Sequence, residues 1–197
     1  MFQALDFLPR DQFLRQVIRS ARGATTGCQI AATHAEESTV EILPGDFLHA
    51  EYGFKAQPDA LITSTQSYVL VEAKRIRRSS FGPEQVAREL LLAEQAAAGR
   101  TPLLLIVLGA EPPVSLRGHG TMTLTDSAVL GAELISARLG RPVKIPNLES
   151  TIAYISWAHI ADRVQSAVSA YLENDVSASR TTQRLATTLL EAVRVHL

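Results

Sequence analysis

The segment Gln57-Pro58-Asp59-Ala60-Leu61-Ile62-Thr63, then Ser64-Thr65-Gln66-Ser67, then Tyr68-Val69-Leu70-Val71-Glu72-Ala73-Lys74, decides how this chain is read. Both flanks are short, apolar and rich in β-branched or aromatic residues, and the break between them is small and polar, so the segment predicts a β-hairpin. A turn centred between Thr65 and Gln66 sets Thr63 opposite Tyr68 and Asp59 opposite Glu72, with each pair on one side of the sheet and Cβ atoms about 5 Å apart. Alternation adds Lys74 to the side of Glu72 and turns Val69, Val71 and Ala73 to the other. Leu61, Ile62, Val69, Leu70 and Val71 form near-continuous apolar runs, as in a strand covered on both faces, which places the charges at the rim of a core rather than on a solvated hairpin. Two carboxylates set opposite one another repel and need a cation between them. Lys74 can supply one, and a divalent metal supplies it better.

Pro58-Asp59, twelve residues, then Glu72-Ala73-Lys74 resembles the signature of the PD-(D/E)XK nuclease superfamily, including its strand-turn-strand setting. The resemblance implies an α/β fold with a central mixed sheet flanked by helices, a restriction-endonuclease-like αβββαβ core. It also implies a Mg²⁺-dependent nuclease, with Mn²⁺ as a substitute ion, that hydrolyses phosphodiester bonds, in DNA by the same resemblance. Residues matching Asp59 and Glu72 would bind the metal, assisted by the backbone carbonyl of Ala73, and Lys74 would orient or activate the water. Lysine suits that task as a compact cation whose pKa shifts when partly buried.

Members of the superfamily follow the Glu-x-Lys strand with a helix, often carrying a glutamine that faces the site, and then a buried strand. Here residues 83–98 read as a helix, with Pro83 suited to its first turn and Gly99 to its C-terminal cap, and residues 101–109 (TPLLLIVLG) as a buried strand. Val86, Leu90, Ala93 and Ala97 make the apolar stripe of that helix, while Gln85 and Glu89 share another face. Gln85 is therefore expected to support the metal ligands or orient a phosphate, against the plain alternative of a solvated helix residue. The motif and topology cover residues 39–109, which we take as the core. Superfamily members often carry a further metal-binding glutamate on the helix before the first core strand. This chain has none there, and Glu36, Glu37, Glu41 and Glu51 are the open alternatives.

A chain of 197 residues, 46% hydrophobic and 20% charged, is long enough for one α/β domain over residues 1–197 with a full core. Its single cysteine, Cys28, excludes an intrachain disulfide framework and a multi-cysteine zinc site, and is expected to pack as a small apolar residue. The first residues lack the basic start and long apolar run of a signal peptide, and no apolar stretch approaches membrane-spanning length. The expectation is a soluble, cytoplasmic protein with no membrane partner.

The net charge of −1 offers no overall basic attraction to nucleic acid, so charge distribution matters more. Sixteen of the nineteen basic residues are arginines, and Lys74-Arg75-Ile76-Arg77-Arg78 is the densest cluster. Arg75, Arg77 and Arg78 are candidates to neutralise phosphates, or else form a solvated loop.

Elsewhere, residues 9–21 predict an amphipathic helix through Phe13, Leu14, Val17 and Ile18, and residues 38–43 a strand. Residues 47–54 read as a further strand or extended run, residues 111–120 as a turn-rich loop containing His119, and residues 126–139 as a helix. Residues 151–157 read as a strand ending at Trp157, the sole tryptophan, which is expected to anchor the C-terminal helices. Residues 158–197 form a helical extension whose last helix (Leu185, Leu189, Leu190, Val193, Leu197) packs on the domain or makes a homodimer contact. His34 and His49 have no metal-ligand spacing and read as surface or capping residues.

A protein partner that supplies specificity is a further expectation. A rival reading from another class is a catalytically silent nuclease-like binding or regulatory module. A stand-alone metabolic enzyme is weaker still. The chain has no G-x-G-x-x-G after a strand, no P-loop and no G-x-S-x-G.

Overall fold

The structure is a computed structural model that describes residues 2–74, 80–174 and 180–194. In chain order the elements are α1 (Phe2–Phe7), α2 (Leu14–Arg19), α3 (Thr25–Thr33), β1 (Thr39–Ile42), β2 (Phe47–Leu48), β3 (Lys55–Ala56), β4 (Ala60–Thr63), β5 (Ser67–Ala73), β6 (Ser80–Phe81), α4 (Gln85–Ala97), β7 (Thr101–Leu108), β8 (Val114–Leu116), β9 (Gly120–Met122), α5 (Leu124–Leu139), α6 (Leu148–Thr151), β10 (Ile152–Ser156), α7 (Trp157–Asn174) and α8 (Arg180–Arg194).

The central sheet has five strands in the order β1-β4-β5-β7-β10. The first three are antiparallel neighbours and the last three parallel, so the sheet is mixed and the fold is α/β. The hairpin forms in the expected register, with Thr63 paired to Tyr68 and Ala60 to Val71. Ser64 closes its turn: the Ser64 hydroxyl accepts from the amides of Gln66 and Ser67, which gives a polar tetrapeptide a fixed bend.

Two apolar layers cover the sheet, and the strand alternation decides which residue meets which. Val69 and Val71 of β5, with Leu103, Leu105 and Val107 of β7, face α2, α3, α7 and α8. Tyr68, Leu70, Leu104 and Ile106 face α4, with α5 in the same apolar layer. Because helices lie on both sides, every residue of β5 from Ser67 to Glu72 is buried. Glu72 thus takes the α4 side, on the same face as Leu70.

Helix α4 buries the predicted stripe Val86, Leu90, Ala93 and Ala97. It stops where Ala98 and Gly99 adopt left-handed backbone (φ 50° and 88°), and the Arg100 guanidinium donates to the freed carbonyl of Ala97 at 2.9 Å. Its outer side packs against α5, which begins at Leu124 rather than Asp126 because the Thr123 hydroxyl caps it, accepting from the Asp126 amide at 3.0 Å.

Several expectations change. Residues 9–21 are not one helix: the amides of Gln12 and Phe13 both bond the carbonyl of Pro9, a turn that delays α2 to Leu14, and a separate α1 precedes it. Within residues 24–54, α3 (TTGCQIAAT) gives no periodic signal because its buried side is made of the small residues Gly27, Cys28, Ala31 and Ala32. Residues 47–54 form only β2 before turning back into β3. The segment read as a loop after β7 contains β8 and runs into β9, which together join β6 in a three-stranded sheet, with His119 exposed in the β8–β9 turn.

Cys28 is buried, as expected, and burial pushes its thiol up to about 11. His49 is not a surface residue: it is 6% exposed and stacks on Tyr52 with ring centres 4.6 Å apart. It does cap locally, its Nδ1 accepting from the Tyr52 amide. Helix α8 buries Ala186, Leu189 and Val193 against the domain, meeting α1 and α7. Leu197 and residues 175–179 lie outside the described residues. Among the described residues, no helix is long and apolar enough to cross a membrane.

Candidate functional site

The end of the β4–β5 hairpin and the first turns of α4 gather five polar side chains. β4 begins at Ala60, and Asp59 just before it is held twice by β5: its amide donates to the carbonyl of Val71 at 2.9 Å and its Oδ2 accepts from the amide of Ala73 at 2.7 Å. The Asp59 carboxylate is therefore fixed against the backbone of the strand that carries Glu72.

Glu72 meets Lys74 across two residues of the chain, with Lys74 Nζ 2.6 Å from Glu72 Oε1. Gln85, the first residue of α4, closes the group. Its Nε2 donates to Glu72 Oε1 at 2.7 Å and to Glu89 Oε1 at 2.9 Å, while its Oε1 accepts from Lys74 Nζ at 3.0 Å. A single amide thus bridges two carboxylates and an ammonium. The i, i+4 spacing of Gln85 and Glu89 is what lets them meet on one helix face.

Lys74 is anchored at both ends. Its amide donates to Val107 of β7 at 2.8 Å, and its carbonyl accepts from the indole of Trp157 at 2.8 Å. Trp157, expected to tie the C-terminal helices to the sheet, also holds the lysine backbone. The ammonium lies 5.0 Å from the centre of the Phe81 ring.

Burial sets the electrostatics. Desolvation pushes the Glu72 carboxyl above its ordinary range, with the charge of Asp59 adding to it, and the bonds and charge of Lys74 oppose the rise. Glu89 is 2% exposed and its carboxyl is pushed up to about 8, by desolvation first and by the Glu72 charge second, against the hydrogen bond from Gln85. Its Oε2 has no hydrogen-bond partner.

The cluster borders a cleft of about 410 Å³, lined on one side by Lys55 and Gln57 and on the other by Pro83, Gln85, Arg88 and Glu89. The N-terminal end of α4 is set by close packing on α5. A Cβ on Gly131 would lie 2.8 Å from the Ala87 Cβ and 2.9 Å from the Pro83 carbonyl, closer than side chains pack. Gly131→Val is expected to force α4 away from α5, destabilising the fold by about 1–3 kcal/mol in urea unfolding.

Four of the sequence-derived candidates, Asp59, Glu72, Lys74 and Gln85, are brought together, with the Ala73 backbone between them. Arg75, Arg77 and Arg78 lie outside the described residues. Three of the four upstream acids are engaged elsewhere, Glu36 accepting from the Asp11 amide at 3.0 Å, Glu37 lying 3.7 Å from His34 and Glu51 pairing with Arg141 at 3.0 Å, and Glu41 is exposed on β1 opposite Leu61. The acid that does join is Glu89. Its sequence signal is its shared face with Gln85, and what the sequence hides is that this face turns inward to Glu72.

Among the described residues, no three acidic, histidine or cysteine side chains are grouped to hold a metal ion between them. The arrangement instead offers two carboxylates, each with one oxygen outside the contacts above, Asp59 Oδ1 and Glu72 Oε2. That hard-oxygen set fits Mg²⁺, which is commonly bound through one or two carboxylates and keeps several waters. Comparison with protein-family models, with curated proteins and with solved structures gives no match for this chain.

Proposed function

We propose that this protein is a divalent-metal-dependent nuclease of the PD-(D/E)XK type, acting on DNA. The observation that carries the reading is the convergence of Asp59, Glu72, Lys74 and Gln85 at the end of one hairpin, the last three bonded to one another and Asp59 to the Ala73 amide between Glu72 and Lys74. The order α3-β1-β4-β5-α4-β7, with the small β2–β3 hairpin inserted after β1, supports it as an αβββαβ core.

Asp59, Glu72 and the Ala73 carbonyl would hold Mg²⁺. When bound, the ion supplies neutralisation of phosphoryl charge and a water acidic enough to attack at neutral pH. The protein's own contribution is placement. Glu72 and Gln85 take two of the three N–H donors of Lys74, which leaves the third for the attacking water or a phosphate oxygen. Asp59 is locked by the Ala73 amide, so its remaining oxygen keeps a fixed direction. The choice of DNA over RNA rests on the resemblance of the motif alone.

Purified protein is expected to nick supercoiled plasmid with Mg²⁺ or Mn²⁺ and not with EDTA. Asp59→Ala, Glu72→Ala and Lys74→Ala are each expected to lower nicking by at least about 100-fold. Nicking that survives in all three would place the activity elsewhere and end this reading.

A further inference from the structure

Glu89 is an unusual residue to find where it is. It sits on the second turn of α4, 2% exposed, in a layer otherwise made of Val86, Leu90 and Ala93, and Oε2 of its carboxylate has no hydrogen-bond partner. Burying a carboxyl group with an oxygen that has no partner is costly whether or not it carries a proton, and an apolar residue of similar size would be the more stable choice. The contact that relieves part of this cost is the bond at 2.9 Å from Gln85 Nε2.

That contact decides which way the Gln85 amide points. An amide side chain is nearly symmetric in shape but not in chemistry: one end donates and the other accepts. With acceptors at both Glu72 and Glu89, the NH₂ end has two partners on the carboxylate side. The oxygen is thereby turned to Lys74, 3.0 Å away. If Glu89 were apolar, one of the two bonds that fix the NH₂ end would be lost, and the amide could rotate away from the lysine.

We infer that Glu89 is a positioning residue which, through the orientation of the Gln85 amide, holds the Lys74 ammonium at its working place beside Glu72. The inference deepens the nuclease reading and takes its catalytic meaning from it, but the positioning itself is a property of the folded protein. The substitution Glu89→Gln would preserve the acceptor that Gln85 needs, whereas Glu89→Leu would fill the same space without one.

The test compares Glu89→Gln, Glu89→Leu and Gln85→Ala by two readouts. The first is the ε-CH₂ resonance of Lys74 in protein labelled at lysine. Three lysines give three signals, that of Lys74 identified by Lys74→Arg and displaced by the nearby Phe81 ring. It is expected to stay in place in Glu89→Gln and to shift in the same direction in Glu89→Leu and Gln85→Ala. The second is plasmid nicking, where Glu89→Leu is expected to lose about 10- to 100-fold in kcat with KM little changed. Glu89→Gln should retain most of the activity, and Glu89→Leu should cost nothing further in a Gln85→Ala background. Glu89→Leu should also melt at or above the wild-type temperature, since a buried carboxyl oxygen without a partner has been removed; a residue needed only for structure would lower melting and activity together.

A Lys74 resonance unmoved in Glu89→Leu, or moved equally in Glu89→Gln, would overturn the inference. A wild-type protein that fails to nick any plasmid would instead count against the nuclease reading, while the resonance comparison would still decide the positioning.

Discussion

In Lys74→Ala, metal-dependent nicking is expected to fall by about 10²- to 10⁴-fold, the range associated with loss of a placed proton-transfer group. The protein is expected to lose up to about 3–5 kcal/mol of stability as well, because one half of a buried ion pair has been removed. Glu72 would remain inside, with Gln85 as a neutral donor and no ammonium 2.6 Å away. Its carboxyl, already raised by desolvation and by Asp59, would rise further once Lys74 no longer opposes the shift. The stability deficit should therefore shrink as the pH falls and Glu72 takes up a proton. Lys74→Arg separates the two effects: it keeps the charge and most of the stability, but a planar guanidinium cannot occupy the space between Glu72, Gln85 and the Phe81 ring with the same donor directions. Urea unfolding of the three proteins at pH 5 and pH 8, beside their nicking rates, checks both parts.

The second large effect is a pH dependence of stability centred on Glu89. Its carboxyl is pushed up to about 8 in the folded protein from an ordinary 4.5. Between those values the folded state binds a proton that the unfolded state has released, so the free energy of unfolding falls as the pH rises. The contribution is fully present below about 4.5 and is lost as the pH passes through about 8. The shift at Glu72 has the same sign and adds to the slope. The expected result is a protein less stable at pH 8.5 than at pH 5.5 by an amount on the order of a few kcal/mol. Glu89→Gln, with no group to titrate there, should flatten most of that slope. Denaturant midpoints measured across this range would show it, and identical slopes in the two proteins would contradict the assignment to Glu89.

The hairpin was legible because two short-range signals agreed: apolar β-branched runs on either side of a small polar turn, and an odd-even pattern that put Asp59, Glu72 and Lys74 on one side. The register, the burial of β5 and the use of α4 follow from those runs. The N-terminal elements were not legible for an equally specific reason. In α3 the buried side is formed by Gly27, Cys28, Ala31 and Ala32, residues too small to stand out by hydrophobic periodicity, and their smallness is what lets the helix lie close to β7 and α6. β8 and β9 are three residues each, and β6 only two, below the length at which alternation can be recognised.

At the site, the sequence identified the residues whose spacing is local: Asp59 and Glu72 across a hairpin, Lys74 two further on, Gln85 at the start of the next helix. It did not identify Glu89, since whether one face of α4 turns outward or inward depends on α5 packing behind it. Gly131 is what allows that packing, and its effect on α4 acts across a helix-helix contact. The superfamily that the motif resembles directs attention to a further acid upstream of the hairpin. The structure instead places its additional carboxylate downstream, bound to the same amide as Glu72.

The proposed nuclease chemistry requires a hard cation held between Asp59 and Glu72, and a calorimetric titration with Mn²⁺ tests that most directly. Wild-type protein is expected to bind the ion in the millimolar range or tighter, with Glu72→Gln removing the binding and Lys74→Arg retaining it. No binding to the wild type, or the same binding in Glu72→Gln, would contradict it.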